Sequence, residues 1–88
     1  MYLHLGQGVT VTQKSIVAVI DLDTATWSRH TRAMLRRAEE RGEVVYVTDE
    51  LPASAVVCAE GGRRTVYISQ ISSRPLLKRL QIPAWSEG

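Results

Sequence analysis

Phenylalanine is missing from this 88-residue chain, and aromatic residues make up only 6% of it, as three tyrosines and two tryptophans. So few rings argue against a platform for single-stranded nucleic acid, where successive bases stack on aromatic side chains. The single cysteine, Cys58, excludes an internal disulfide framework. Within the apolar run at residues 55–59 it reads as a buried, inert thiol. The two histidines, His4 and His30, are far apart, and neither has a second potential ligand three or four positions on. No apolar run approaches the roughly 18 residues needed to cross a bilayer. Residues 1–6 lack the basic-then-apolar layout of a secretory signal, so the expected location is cytoplasmic.

What is present fits one ordinary globular domain: 44% hydrophobic and 23% charged residues, with few Pro and Gly. A domain this short draws limited stability from its own core, which makes self-association a natural supplement. The net charge of +2 is unevenly spread along the chain. Residues 29–42 carry five arginines against Glu39 and Glu40, whereas the charges in residues 43–62 are all acidic: Glu43, Asp49, Glu50 and Glu60. Residues 63–88 turn basic again through Arg63, Arg64, Arg74, Lys78 and Arg79, opposed only by Glu87. Such segregation suits a polyanion on one surface and a sister subunit on another, or simply several solvated faces.

The pattern of residues predicts an order β-β-β-α-β-β-β-α. Tyr2-Leu3-His4-Leu5 and the β-branched Val9-Thr10-Val11-Thr12 form a hairpin across Gly6-Gln7-Gly8. Ser15 to Ile20 is nearly continuous apolar sequence, the mark of a strand covered on both faces, and is expected at the centre of the sheet. A helix follows, capped at Thr26 or Ser28 and ended by Gly42. At helical spacing Trp27, Thr31, Met34, Leu35 and Ala38 share one face, and Arg29, Arg32, Ala33, Arg36 and Glu40 the other. Residues 43–48 return to strand, and Asp49-Glu50-Leu51-Pro52 is a loop. Residues 54–59 and 65–69 make a second hairpin over the tip Glu60-Gly61-Gly62-Arg63-Arg64. A short helix from Ser72 or Ser73, with Pro75 in its first turn, turns Leu76, Leu77 and Leu80 inward. The class is α+β, with a mostly antiparallel sheet of about six strands, a domain over residues 1–80 and a tail over 81–88.

A search for reactive groups yields no catalytic set and implies no cofactor or metal. Asp21 and Asp23 are spaced like the start of a calcium loop, but the rest of that motif is missing. Gly6-Gln7-Gly8 lacks the third glycine and following helix of a phosphate loop. The basic residues carry more meaning. Arg63-Arg64 at a hairpin tip would project as a paired guanidinium wedge suited to phosphate. Arg74, Lys78 and Arg79 form a second strip on the last helix. Both favour backbone contact with duplex DNA.

Five segments together resemble a known family: Met1-Tyr2-Leu3-His4-Leu5-Gly6, Ile20-Asp21-Leu22-Asp23-Thr24, Thr48-Asp49-Glu50-Leu51-Pro52-Ala53-Ser54, Val66-Tyr67-Ile68-Ser69-Gln70-Ile71-Ser72-Ser73, and Leu76-Leu77-Lys78-Arg79. They look like the RemB branch of the RemA/RemB extracellular-matrix regulators of bacteria, over residues 1 to about 80. The resemblance implies a LytTR-like fold, control of matrix (biofilm) genes, and a homo-oligomer, in the RemA branch a closed ring that bends double-stranded DNA. A ring repeats one heterologous interface, which accords with segregated charge. The RemA branch carries an arginine pair in the loop before the second-last strand, where this chain has Asp49-Glu50-Leu51-Pro52. It also has a basic residue opening the third strand, where Lys14 stands here. The expected DNA contacts are therefore Lys14, Arg63, Arg64, Arg74, Lys78 and Arg79. A structural or adaptor oligomer that partners a RemA-like protein through the acidic loop is the competing expectation. Neither expectation involves an enzyme or a membrane.

Overall fold

The computed structural model describes residues 1–22 and 29–80. The elements run β1 (Tyr2–Gly6), β2 (Val9–Thr12), a 3-10 turn (Gln13–Ser15), β3 (Ile16–Asp21), α1 (Arg29–Glu40), β4 (Val44–Tyr46), β5 (Ser54–Glu60), β6 (Arg63–Ser69) and α2 (Ser73–Arg79). The α+β class, six strands and element order agree with the sequence pattern. The expected caps Thr26 and Ser28, Trp27, and the tail from Gln81 lie outside the described residues.

The strands divide between two sheets, a β1-β2 hairpin and a four-stranded sheet in the order β3-β5-β6-β4. Three of the four pairings are antiparallel, and β4 runs parallel to β6. The parallel pair follows from the connection: α1 carries the chain from one edge of the sheet to the other, the crossover that parallel strands require. β3 is therefore an edge strand, not the expected central one. An apolar run reports that side chains are covered, not how many strands flank it. A bulge between Ile16 and Ala18 turns Val17 out to 66% exposure. The strand buried along its length is β5, from Ser54 through Cys58.

Alternation along β5 and β6 builds two cores, one on each side of the sheet. Val56 and Cys58 meet Leu3, Leu5 and Val11 of the hairpin and Leu76 of α2. Ala55, Val57, Val66 and Ile68 meet Leu35 and Ala38 of α1. The inner face of α1 is thus the one its helical spacing predicts. In α2 only Leu76 is fully buried, and Leu77, expected inside, is 44% exposed. A helix of two turns cannot direct consecutive leucines to the same side.

Turns fix the ends of these elements. Gly42 has φ 69° and ends α1 in a left-handed cap, with the Gly42 amide bonding the Glu39 carbonyl and the Glu43 amide bonding the Ala38 carbonyl. The β5-β6 turn is tighter than expected: Gly61 and Gly62 alone form it, with φ 58° and 79°. Glu60 consequently pairs with Arg63, and Ala59 with Arg64, inside the ladder.

At the other end of that ladder Ser54 faces Ser69, both with 0% exposure. The Ser69 hydroxyl donates to the Leu5 carbonyl at 2.8 Å and accepts the Ile71 amide at 3.0 Å. The Ser54 hydroxyl donates to the Ile71 carbonyl at 2.7 Å. Removing a buried partner leaves backbone groups unpaired at about 1–3 kcal/mol. A Ser69→Ala substitution is therefore expected to lower unfolding stability by about that amount in urea titration. An unchanged midpoint would show that these bonds contribute nothing.

Candidate nucleic-acid interface

The two-residue turn decides what Arg63 and Arg64 can do. As neighbours on a strand they point to opposite faces of the sheet, so the paired wedge expected of a loose tip does not form. Arg63 lies on the hairpin side, in a cleft of about 330 Å³ also lined by Tyr2, Thr12, Glu60, Thr65 and Tyr67. Arg64 lies on the helix side, in a depression of about 210 Å³ with Arg37, Arg41 and Glu43. A third depression, of about 370 Å³, runs around the end of the sheet and includes Arg41, Arg63 and Arg64 together.

The cap of α1 brings Arg41 to this place. Once Gly42 has reversed the chain, the Glu43 carbonyl accepts the Val66 amide, which moors the helix end beside the start of β6. Arg37, one turn earlier, opens onto the same depression, and its Nε donates to the Ala33 carbonyl at 3.5 Å. Basic residues there also complement the negative end of the helix dipole. Lys14 is exposed on the 3-10 turn just before β3, whose Ile16 pairs with Cys58 near the end of β5. The starts of β3, β4 and β6 therefore share one end of the sheet, and with it come Lys14, Arg37, Arg41, Arg63 and Arg64. Glu43 and Glu60 lie among them, Glu39 and Glu40 stand in the helical turn between Arg37 and Arg41, and Glu60 Oε1 accepts the Thr12 hydroxyl at 3.3 Å.

Arg74, Lys78 and Arg79 are exposed as expected, but they belong to the hairpin side of the molecule, on α2. Arg79 reaches β1, donating from Nη1 to the His4 carbonyl at 3.3 Å. The six expected contacts thus fall into two groups, one at the sheet end and one on α2. Sequence reasoning missed Arg37 and Arg41. Their signal was present, since they stand four apart on one flank of α1, in the last turn before Gly42.

Among the described residues, two groups carry perturbed acidities. Burial pushes the Cys58 thiol up, helped by the nearby Glu60 charge and offset in part by a hydrogen bond with Ser15. Tyr46 is raised chiefly by its hydrogen bond to Glu39, 3.0 Å between oxygens. Neither shift favours a nucleophile. Among the described residues no group of three or more His, Cys, Asp or Glu is placed to hold a metal. His4 and His30 are both exposed.

The class defined by this arrangement is a small α+β domain with a guanidinium-rich end. The model of the RemA-like family, described as extracellular matrix regulatory protein A-like, matches residues 2–80. The chain belongs to that family, which points to an extracellular-matrix regulatory protein. No curated protein matches the chain.

The thiol gives a direct test of the cleft floor. Cys58, 5% exposed, is expected to resist a thiol reagent at neutral pH in the folded protein and to react on unfolding. Its raised folded pKa also sets a sign. As pH rises through the alkaline range the unfolded thiol ionises first, so stability falls. Rapid modification of the native protein would contradict the burial.

Proposed function

We propose that the protein is a non-enzymatic, oligomeric DNA-binding regulator of matrix (biofilm) gene transcription that holds duplex DNA at the arginine end of its sheet. The observation that carries this reading is the convergence of Arg37, Arg41, Arg63 and Arg64 around one edge. Guanidinium forks pair with phosphate through two parallel hydrogen bonds, and several of them track a backbone without reading bases. Lys14 extends the contact along the same end, and the α2 strip offers a second, separate one. The RemA-like match supports the regulatory role. The segments shared with the RemA/RemB regulators support a LytTR-like use of the fold in the cytoplasm and assembly from several copies, with a closed ring as the implied form. No described helix is long and apolar enough to cross a membrane.

The acidic loop supports placing the chain in the RemB branch, because Asp49 and Glu50 occupy the loop where the RemA branch has arginines. It also favours a second reading, in which the oligomer is an adaptor that contacts a RemA-like protein through Leu51, 90% exposed between Glu50 and Pro52. This reading requires no DNA affinity.

Gel shifts over a salt series separate the two. Under the first reading the wild type retards duplex DNA, with log affinity falling linearly against log salt. Arg37→Ala with Arg41→Ala, and Arg63→Ala with Arg64→Ala, each weaken binding and flatten that slope by about 1 for every phosphate left unneutralised. Absence of any retardation at the lowest salt overturns the DNA reading and leaves the adaptor.

A further inference from the structure

Strand alternation sets Arg63, Thr65 and Tyr67 in a row on the hairpin side of β6, with Cys58 and Glu60 beside them on β5. The β1-β2 hairpin packs on the same side without pairing with the main sheet, and its Tyr2, Thr10 and Thr12 form the facing wall. The cleft between them, about 330 Å³, falls at the lower end of the roughly 300–1,000 Å³ typical of ligand pockets. It has room for one small molecule.

Its lining carries one charge of each sign, and the two are neighbours. Glu60 and Arg63 face each other across the β5-β6 ladder, and both are exposed. The Thr12 hydroxyl donates to Glu60 Oε1 at 3.3 Å, which steadies the carboxylate against the hairpin and leaves Oε2 to accept a further donor. The Arg63 guanidinium has no partner among the described residues. Exposed opposite charges hold each other weakly in water, so a ligand parts them at little cost. A guanidinium fork beside a carboxylate complements a ligand that carries a carboxylate and an ammonium on one carbon. Tyr2, 70% exposed, and Tyr67 flank the pair and offer rings to a planar side chain.

We infer that this cleft binds a free aromatic α-amino acid, with its carboxylate on Arg63, its ammonium on Glu60 and its ring against Tyr2 and Tyr67. A simple anion matches the cleft less well, because Glu60 repels it. Arg63 is also among the arginines assigned above to DNA. An occupied cleft therefore withdraws one guanidinium from phosphate and weakens DNA binding. That second effect rests on the DNA reading, whereas the site itself does not.

Calorimetric titration of the full chain with L-phenylalanine tests the site. Binding is expected below about 1 mM, with 2-phenylethylamine, 3-phenylpropionate and L-alanine each weaker by about tenfold, since each lacks one of the three recognised groups. Arg63→Gln and Glu60→Gln, at exposed positions, each weaken L-phenylalanine binding by about tenfold and leave the urea midpoint unchanged. Tyr2→Ala weakens it by about threefold or more. No binding up to about 10 mM overturns the inference. So does an affinity that 3-phenylpropionate equals, or one that Arg63→Gln and Glu60→Gln leave intact. In the gel shift, saturating L-phenylalanine is expected to reduce retardation of duplex DNA by the wild type. Unchanged retardation overturns the coupling alone. Absence of retardation without ligand overturns the DNA reading and the coupling with it, and the titration then decides the site by itself.

Discussion

Ser54 and Ser69 are the point on which the layers of this molecule depend. Both are fully buried and paired across β5 and β6, where hydroxyls normally cost stability. Their cost is offset because each bonds backbone that no ladder satisfies: Leu5 at the end of β1, and Ile71 on the way to α2. The two-stranded hairpin has no strand pairing with the main sheet. Apart from apolar contact, it is tied to the rest by the Ser69 bond to the Leu5 carbonyl, the Arg79 bond to the His4 carbonyl and the Thr12 bond to Glu60. An isolated hairpin is marginal in water, so the placement of β1 and β2 is a tertiary effect, to which the Ser69 hydroxyl contributes the buried bond.

With the hairpin and α2 held on one side and α1 on the other, the four-stranded sheet is covered on both faces, and its two ends become the places where charge can collect. At one end the starts of β3, β4 and β6 meet the C-terminal turn of α1, and Arg37, Arg41, Arg63, Arg64 and Lys14 gather there beside Glu40, Glu43 and Glu60. At the other, the loop from β4 to β5 carries Asp49 and Glu50. Part of the charge is thereby carried to opposite ends, Arg37, Arg41, Arg63 and Arg64 to one and Asp49 and Glu50 to the other, while Glu43 and Glu60 stay with the arginines. Connectivity does this: α1 ends where β6 begins, and the residues after β4 are carried the length of the sheet before β5 returns.

Much of the fold was legible because local rules and the tertiary structure agree. Leu35 and Ala38 lie on the helix face that spacing predicts, Gly42 ends α1, and two glycines close the β5-β6 turn. Failures arose where neighbours decide the outcome. The apolar run of β3 resembles that of a central strand, but a bulge and an edge position leave Val17 outside. The division into two sheets has no local signal, because a hairpin reads the same whether or not a third strand joins it. For the candidate site, the basic residues were identifiable by type, while their grouping was not. Arg37 and Arg41 joined Arg63 and Arg64 only once the helix cap had been moored to Val66 through Glu43.

The placement of Arg63 and Arg64 on opposite faces constrains any phosphate contact more than their number does. A surface approached face-on presents one of them and hides the other behind the sheet. Only an approach along the strand axis, onto the Gly61-Gly62 turn, brings Arg63 from the hairpin side and Arg41 and Arg64 from the helix side to a common ligand. Because Arg63 and Arg64 leave opposite faces of β6, the thickness of the sheet lies between their guanidinium groups, which under the DNA reading suits separate phosphates rather than one. The glycine turn matters for the same reason. It keeps the tip narrow, with no side chains of its own between the arginines and an extended polyanion. Under the proposed DNA reading, the sheet would therefore meet the nucleic-acid backbone end-on, with the arginines set around its edge.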